Sequence, residues 1–180
     1  MLPERALAFP VALRPFEAGD AARVQRLAGE RAVAEATALI PHPYPDGAAE
    51  AWIAGQARAR SAGREYTYAV TLATDAVLVG AIDLRPAERD GNLGYWIGRD
   101  YWGNGYATAA ARAVIALAFS LLDLDVLAAS HLARNAASGR VLEKCGLVPL
   151  RTERRDHRGV EELFCVRAIS RDAWEQAAAA

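Results

Sequence analysis

The sequence changes from strand to helix at Tyr101-Trp102-Gly103-Asn104-Gly105-Tyr106-Ala107-Thr108. Before this turn, Asn92 to Ile97 is β-rich, and after it Thr108 to Leu122 is apolar at most positions, as in a buried helix. A helix N-terminus presents unpaired N–H groups and a positive dipole end, and glycines let the backbone approach an anion closely. The donors would be Gly103, Asn104, Gly105, Tyr106, Ala107 and Thr108. Because many G-x-G turns only cap a buried helix, a phosphate cradle and a plain helix cap are both open interpretations.

Two other phosphate-binding motifs are absent from the sequence. It has no G-x-x-x-x-G-K-[ST] motif, which excludes the usual loop of nucleoside triphosphatases. It has no G-x-G-x-x-G with an acidic partner on a second strand, which argues against a dinucleotide-binding fold. If the turn binds phosphate, the ligand is therefore of another class.

The segments around this turn predict an α/β fold. Upstream, we predict strands at Val11 to Pro15, Tyr66 to Leu72 and Val77 to Leu84, and helices at Ala18 to Ala38, interrupted near Gly29, and Ala48 to Arg60. Downstream, the predicted strands are Val126 to Leu132, Leu147 to Arg155 and Glu161 to Ile169, and the predicted helix is Ala136 to Lys144. We therefore expect a mixed sheet that is antiparallel early and parallel where the long helix crosses over.

Length and composition predict one domain that spans residues 1–180, with flexible ends at 1–10 and 177–180. Lys and Arg number 21 against 22 Asp and Glu, so the formal net charge is -1. This balance offers no general attraction for nucleic acid or an anionic membrane. The longest apolar run, Ala113 to Leu122, falls well below the roughly 20 residues that span a bilayer. We expect neither a nucleic-acid partner nor a membrane partner.

The two cysteines, Cys145 and Cys165, form no C-x-x-C pair and have no histidine at metal-ligand spacing. We interpret them as reduced thiols of a cytoplasmic protein, and we predict no metal site. Cys145 follows the predicted helix Ala136 to Lys144, and a helix C-terminus disfavours a thiolate. Core packing of Cys145 is therefore favoured over covalent catalysis.

Four short runs carry a resemblance to a known family. They are Gly94-Tyr95-Trp96-Ile97, the turn Tyr101 to Thr108, Asn135-Ala136-Ala137-Ser138, and Leu142-Glu143-Lys144-Cys145-Gly146-Leu147. With these runs the sequence resembles the GCN5-related N-acetyltransferase (GNAT) superfamily, and within it the branch of ribosomal-protein alanine acetyltransferases and their relatives. In the family signature R/Q-x-x-G-x-G/A, Gly105 and Ala107 match, whereas Trp102 stands where the family has Arg or Gln.

The resemblance implies a mixed, mostly antiparallel sheet with flanking helices and a splayed strand pair that holds acetyl-CoA. It implies that the coenzyme arm pairs with the backbone near Trp96 and Ile97, that Asn135 contacts the arm, and that Ser138 donates to the departing thiolate. The implied activity is acetyl-CoA-dependent N-acetyl transfer, an acyltransferase reaction in which a primary amine attacks the thioester directly. The acceptor is either a protein N-terminus or a small amine. Homodimers are common in this family, which makes one possible here by analogy.

Several of these roles have structural alternatives. Asn135 and Ser138 also fit a helix N-cap and its first turn. Arg112, one turn into the long helix, is placed either to approach a coenzyme phosphate or to remain solvated. A non-catalytic module that only binds acyl-CoA is the alternative function, since Trp102 departs from the signature and no general base is evident.

The group that accepts the proton of the amine is open, because several side chains have the required chemistry. The candidates are Asp83, Glu88, His131, His42 and a water molecule. We expect the acceptor wall to come from the segment Pro41 to Pro45 and the first helices, with Tyr44 and Trp52.

Overall fold

The computed structural model describes residues 1–179, which form one sheet with helices on both faces. The strands in this part of the chain are β1 (Ala6–Ala8), β2 (Val11–Arg14), β3 (Tyr66–Leu72), β4 (Leu78–Ala87), β5 (Asp90–Ile97), β6 (Val126–Leu132), β7 (Val148–His157) and β8 (Val160–Ser170). The α-helices are α1 (Ala21–Ala28), α2 (Arg31–Glu35), α3 (Ala48–Ser61), α4 (Tyr106–Leu121), α5 (Ala136–Lys144) and α6 (Arg171–Ala179).

The strand order is β1-β2-β3-β4-β5-β6-β8-β7, and every neighbouring pair except β5 with β6 is antiparallel. The β5–β6 pairing covers only Asp90–Asn92 against Val126–Ala128. Beyond Asn92 the two strands no longer pair, which leaves a gap in the middle of the sheet. The predicted mixed, mostly antiparallel sheet with a splayed strand pair is confirmed.

Helix α4 crosses from β5 to β6 and covers one face of the sheet, as its apolar sequence predicts. Its buried residues are Ala110, Ala111, Val114, Ile115, Ala118 and Phe119. Full burial of one large apolar side chain contributes about 1.5–3 kcal/mol, so this contact fixes the helix firmly. Leu121, the last residue of α4, is 51% exposed. The other face packs against α1 and α3 through Val24 and Ile53.

The first predicted helix, Ala18 to Ala38, is divided in the structure. It consists of a short 3-10 turn at Ala18–Asp20, then α1 and α2, with the break at Gly29 as predicted. A Cβ on Gly29 would lie 2.4 Å from the Gln25 carbonyl oxygen and 3.1 Å from the Tyr44 Cβ. The chain breaks there because the segment that follows α2 packs directly against the helix end.

Both ends contain elements that the sequence pattern did not predict. The segment 1–10, which we expected to be flexible, contains β1 and buries Leu2, and the Tyr68 hydroxyl donates to the Pro3 carbonyl at 2.6 Å. At the other end, α6 runs to Ala179, and Ala180 lies outside the described residues. Within residues 1–179, no helix combines the length and apolar character that crossing a bilayer would need.

The close packing of Gly80 in β4 against β5 predicts that two glycine substitutions differ in their effect on stability. A Cβ on Gly80 would lie 2.2 Å from the Trp96 carbonyl oxygen and 3.0 Å from the Ile97 Cα, and these backbone atoms are held in the sheet. We expect Gly80→Ala to lower the free energy of unfolding by about 1–3 kcal/mol in chemical denaturation. Gly55→Ala is the control: Gly55 lies within α3 with open space around it, so alanine should stabilise by about 0.5–1 kcal/mol. Equal stability of the two variants would contradict this account.

Candidate active site

The gap between β5 and β6 exposes the backbone of β5 on one side. The N–H of Gly98 donates to the Val79 carbonyl at 2.8 Å, so by alternation the backbone groups of Trp96 also point at β4. Those of Tyr95 and Ile97 therefore point into the gap. Of the two backbone positions that we predicted for the coenzyme arm, Ile97 faces the gap, whereas Trp96 faces β4 and contributes its indole to the cavity walls.

The Trp102 indole braces the turn that follows β5. Its Nε1–H donates to the Ile97 carbonyl at 2.7 Å, which satisfies one of the backbone acceptors that face the gap. The Asn104 amide donates to the carbonyls of Tyr101 at 3.2 Å and Trp102 at 3.0 Å. The departure from the family signature at Trp102 thus has a structural role, and the side chain of Asn104 holds the turn together.

The turn leads into an uncapped helix. Gly103 and Gly105 both have φ of 79°, a left-handed conformation that favours glycine. The first bond of α4 runs from the Ala109 N–H to the Gly105 carbonyl at 3.0 Å, so the N–H groups of Tyr106 to Thr108 have no partner within the helix. In the described part of the chain, no side chain caps this end. These donors are available to an anion.

The turn, the gap and α5 enclose a cavity of about 270 Å³, called here the donor cavity. Every coenzyme-binding residue that we predicted except Asn104 lines it: Trp96, Ile97, Gly103, Gly105, Tyr106, Ala107, Thr108 and Asn135. Ser138 lines it as well, together with two cations of α5, Arg140 and Lys144. Arg112 instead donates to the Lys144 carbonyl at 2.7 and 3.1 Å, so its guanidinium caps α5.

The side chain of Asn135 makes two structural hydrogen bonds. Its Oδ1 accepts from the Ser138 N–H at 3.1 Å, which is the N-cap of α5, and its Nδ2 donates to the Ala36 carbonyl at 3.2 Å. Asn135 therefore ties Ser138 to the segment that follows α2. This geometry favours the structural alternative for the amide of Asn135.

A contact that the sequence did not single out joins Tyr95 of β5 to Ser138. The Tyr95 hydroxyl lies 2.8 Å from the Ser138 Oγ and 3.2 Å from the Ser138 carbonyl oxygen. Burial raises the pKa of Tyr95 to about 12, so the phenol stays protonated at neutral pH. No local pattern marks this tyrosine, because 43 residues separate it from its partner.

A second cavity of about 490 Å³, called here the acceptor cavity, lies beside the first. The two share Ala36, Thr37, Tyr95, Trp96 and Ser138. Aromatic rings of Tyr44, Trp52, Trp96 and Phe164 line the acceptor cavity, as do Glu65, Asp83 and Arg85. Tyr44, Trp52 and Pro41 belong to the wall that we predicted for the acceptor.

Asp83 is one of two proposed general bases that line the acceptor cavity. It lies opposite Gly94, with its Oδ1 2.9 Å from the Nε of Arg85, although the two groups are not aligned as a hydrogen bond. Burial raises the pKa of Asp83 to about 6, and Glu65 adds to this, while Arg85 opposes it. A Cβ on Gly94 would lie 2.6 Å from Asp83 Oδ2 and 3.0 Å from an Arg85 nitrogen, so a larger residue here would displace the ends of both side chains.

The other three side-chain candidates differ in position. His131 is buried beneath α5 and lines the acceptor cavity. Its Nδ1 donates to the Leu132 carbonyl at 2.9 Å. Its Nε2 is therefore an acceptor, and it has no protein partner among residues 1–179. His42 donates from Nδ1 to the Gly29 carbonyl at 3.1 Å and lines neither cavity. Glu88 lies in the turn between β4 and β5, at the far end of the strands, and also lines neither.

The segment 34–40 runs along both cavities and is held by side chains from the β7–β8 hairpin and by Arg134, which follows β6. His157 Nε2 donates to the Thr37 carbonyl at 2.9 Å, and its Nδ1 lies 3.1 Å from Glu162 Oε1. Arg158 donates to the Ala34 carbonyl at 2.7 Å, and Arg134 donates to the Glu35 carbonyl at 3.0 Å. The sequence could not show these contacts, because His157 and Thr37 are 120 residues apart.

Cys145 has the environment of a packed thiol and not of a nucleophile. Burial raises the pKa of Cys145 to about 11, so the thiol stays protonated, and it lies 3.7 Å from the Thr108 carbonyl. Within residues 1–179, no three or more His, Cys, Asp or Glu side chains are grouped as a metal site.

The two cavities meet at the hydrogen-bonded pair of Tyr95 and Ser138, and one of them contains an uncapped helix N-terminus. This geometry suits transfer of a chemical group from a phosphate-bearing donor to a separate acceptor. Residues 11–148 match the sequence pattern of the protein family described as "Acetyltransferase (GNAT) domain". The chain therefore belongs to the GNAT acetyltransferase family, as predicted.

Similar proteins agree with this family. The probable N-acetyltransferase YjcK of Bacillus subtilis (strain 168) is 36% identical over 86 residues, which are 46% of this chain and 48% of that protein. The putative ribosomal N-acetyltransferase YdaF of the same organism is 35% identical over 77 residues, or 41% of this chain and 42% of that protein. The chain thus spans about half the length of the curated relatives that it matches.

A solved structure supports the fold. Mycobacterium smegmatis RimJ in complex with CoA-disulfide superposes with a TM-score of 0.80 at 23% identity, covering 94% of this chain and 88% of that chain. YdaF, a putative ribosomal N-acetyltransferase by its name, belongs to the kind of relative that the sequence resembles.

The raised pKa of Asp83 predicts how the free energy of unfolding depends on pH. Its pKa is raised from 3.8 to about 6 on folding, so the folded state binds more protons than the unfolded chain in this window, and stability falls as pH rises through it. The Asp83→Asn variant has no carboxyl group to titrate at this position, so this fall in stability with pH does not occur in it. Chemical denaturation should therefore favour the Asn variant increasingly between pH 4 and pH 7, whereas a difference that does not change with pH would contradict the assignment.

Proposed function

We propose that the protein is an acetyl-CoA-dependent N-acetyltransferase that moves an acetyl group to a primary amine by direct attack on the thioester. The observation that carries this proposal is that the donor and acceptor cavities share Tyr95, Trp96 and Ser138. A thioester placed at this junction from one side can be reached by an amine from the other. Family membership and the CoA complex of RimJ support the choice of donor.

The residues of the donor cavity fit the coenzyme. The N–H groups of Tyr106 to Thr108 suit the pyrophosphate, and a Cβ on Gly103 or Gly105 would meet no protein atom within 4 Å, so both glycines border open space. Arg140 and Lys144 add positive charge along the same cavity. The backbone groups of Tyr95 and Ile97 that face the gap suit the amide-bearing arm, like an added strand.

We assign Asp83 as the group that accepts the amine proton. It lines the acceptor cavity, and a pKa near 6 leaves it ionised at neutral pH and basic enough to accept a proton. His131 also lines this cavity, but its free Nε2 lies beneath α5, 3.1 Å from the position of a Cβ on Gly139. The acceptor is a protein N-terminus or a small amine, held among the aromatic rings of the cavity.

Thiol release from acetyl-CoA with a panel of amines and N-terminal peptides tests the proposed function directly. Release that depends on an amine, with the acetylated amine found by mass spectrometry, is the expected result. Binding of acetyl-CoA without release for any acceptor would instead favour a non-catalytic acyl-CoA-binding module.

Two matched glycine variants test the donor site. Gly105 and Gly47 are both N-cap residues of α-helices, with φ of 79° and 75°, and a Cβ on either would meet no protein atom within 4 Å. Alanine in the left-handed region costs about 1–2 kcal/mol at both sites. We expect only Gly105→Ala to weaken acetyl-CoA binding, by about tenfold or more in calorimetry, because its methyl group enters the space of the phosphates. Equal affinities of the two variants would rule out this turn as the phosphate site.

The role of Asp83 predicts a pH-dependent difference between wild type and Asp83→Asn. A general base contributes about 10²–10⁴-fold, so kcat/KM of the variant should fall by about this factor at pH 8. The ratio of wild type to variant should shrink as pH falls below about 6, because Asp83 becomes protonated and loses its function. Glu88→Gln, outside both cavities, is the control and should match wild type. A large loss in His131→Gln with full activity in Asp83→Asn would reassign the base.

A further inference from the structure

The contact between Tyr95 and Ser138 crosses the gap in the sheet. Tyr95 belongs to β5, and Ser138 lies in the first turn of α5, which follows β6. Both residues line both cavities, so the hydrogen-bonded pair lies where the donor cavity and the acceptor cavity meet. A role in fold stability alone would not require either hydroxyl to border the cavities.

The hydrogen atoms of this pair have two arrangements. Tyr95 has one O–H and two acceptors in reach, the Ser138 carbonyl at 3.2 Å and the Ser138 Oγ at 2.8 Å. If the phenol donates to the carbonyl, the serine hydroxyl can donate back to the phenol oxygen. If the phenol donates to Oγ, the serine O–H bond can rotate to point into the cavity.

We propose that Tyr95 is a positioning residue for the leaving group: by donating to the Ser138 Oγ it directs the Ser138 proton at the coenzyme sulfur. The inference rests on the proposed acetyl transfer and deepens it. When negative charge develops on the sulfur, the second arrangement gives a chain of two hydrogen bonds, Tyr95 to Ser138 to sulfur. No proton leaves either residue; the bond from carbonyl carbon to sulfur breaks, and the thiolate then takes its proton from solvent.

The surroundings of Tyr95 suit this role. Burial keeps the phenol protonated, so it acts as a donor throughout the neutral range. Hydrogen bonds in a chain polarise one another, and one that ends on an anion is stronger than one between neutral groups. A lone serine hydroxyl is free to rotate, and its bond to Tyr95 removes that freedom. Asn135 holds the Ser138 backbone in place at the same time.

The thiol pKa of bound CoA measures this effect without any acceptor. Thiolate absorbance in the ultraviolet is followed against pH for wild type, Tyr95→Phe, Ser138→Ala and the double variant, each saturated with CoA. We expect Tyr95→Phe to raise the thiol pKa by about 0.5–1, the equivalent of one hydrogen bond. Ser138→Ala should raise it at least as much, and Tyr95→Phe should add nothing in the Ser138→Ala background. Arg140 and Lys144 are present in all four proteins, so their charge does not affect the comparison.

Ser138→Thr is the matched control, because it retains the hydroxyl. Tyr95→Phe should raise the thiol pKa in the Thr background as it does in wild type, and it should lower kcat about 3- to 10-fold with unchanged CoA affinity. Equal effects of Tyr95→Phe with and without the Ser138 hydroxyl, or loss of CoA binding in Tyr95→Phe, would overturn the positioning role. Absence of CoA binding by the wild type would instead contradict the proposed function, and the inference with it.

Discussion

The short pairing of β5 with β6 is the constraint on which the rest of the structure depends. The two strands share only three parallel residue pairs, and then β5 continues beside β4 alone. Backbone groups in the middle of a sheet must be satisfied by some partner. The Trp102 indole N–H donates to the Ile97 carbonyl, and the other backbone N–H and C=O groups of Tyr95 and Ile97 face a cavity. The gap therefore suits a ligand that can hydrogen-bond like a strand.

Helix α4 turns this gap into a rigid site. Its buried residues fix it against the sheet, which orients the N–H groups at its N-terminus towards the donor cavity. Donors that are already oriented stabilise charge without the cost of reorganisation. On the opposite side, Asn135 fixes Ser138, and the β7–β8 hairpin holds the segment 34–40 over both cavities. Both walls are thus supported by the core and by long-range hydrogen bonds.

The sequence predicted the parts of the fold and site that depend on local pattern. Helix α5 and strands β3 and β6 have the predicted bounds, because their apolar spacing and flanking turns are strong. The turn from Gly103 to Gly105 was located by its glycines. The sequence pattern does not predict β1 or α6. Strand β1 is only three residues long and pairs with the neighbouring β2, and α6 packs Trp174 against the distant Phe119.

The pairing of side chains across the gap was beyond local pattern. Tyr95 with Ser138, and His157 with Thr37, become neighbours only once the sheet has formed. The environment that sets a pKa is equally non-local, which is why Asp83 and Glu88 looked alike in sequence. In the structure Asp83 is half-buried beside Glu65 and Arg85, whereas Glu88 lies in an exposed turn.

The most direct test of the coenzyme site is amide hydrogen exchange, measured residue by residue with and without CoA. We expect the N–H groups of Tyr106, Ala107 and Thr108 to become protected when CoA is added, because the phosphates would accept hydrogen bonds from them. The Ile97 N–H, which faces the gap, should become protected with them. Unchanged exchange at all four positions in the presence of saturating CoA would contradict the claim that this turn and strand hold the coenzyme.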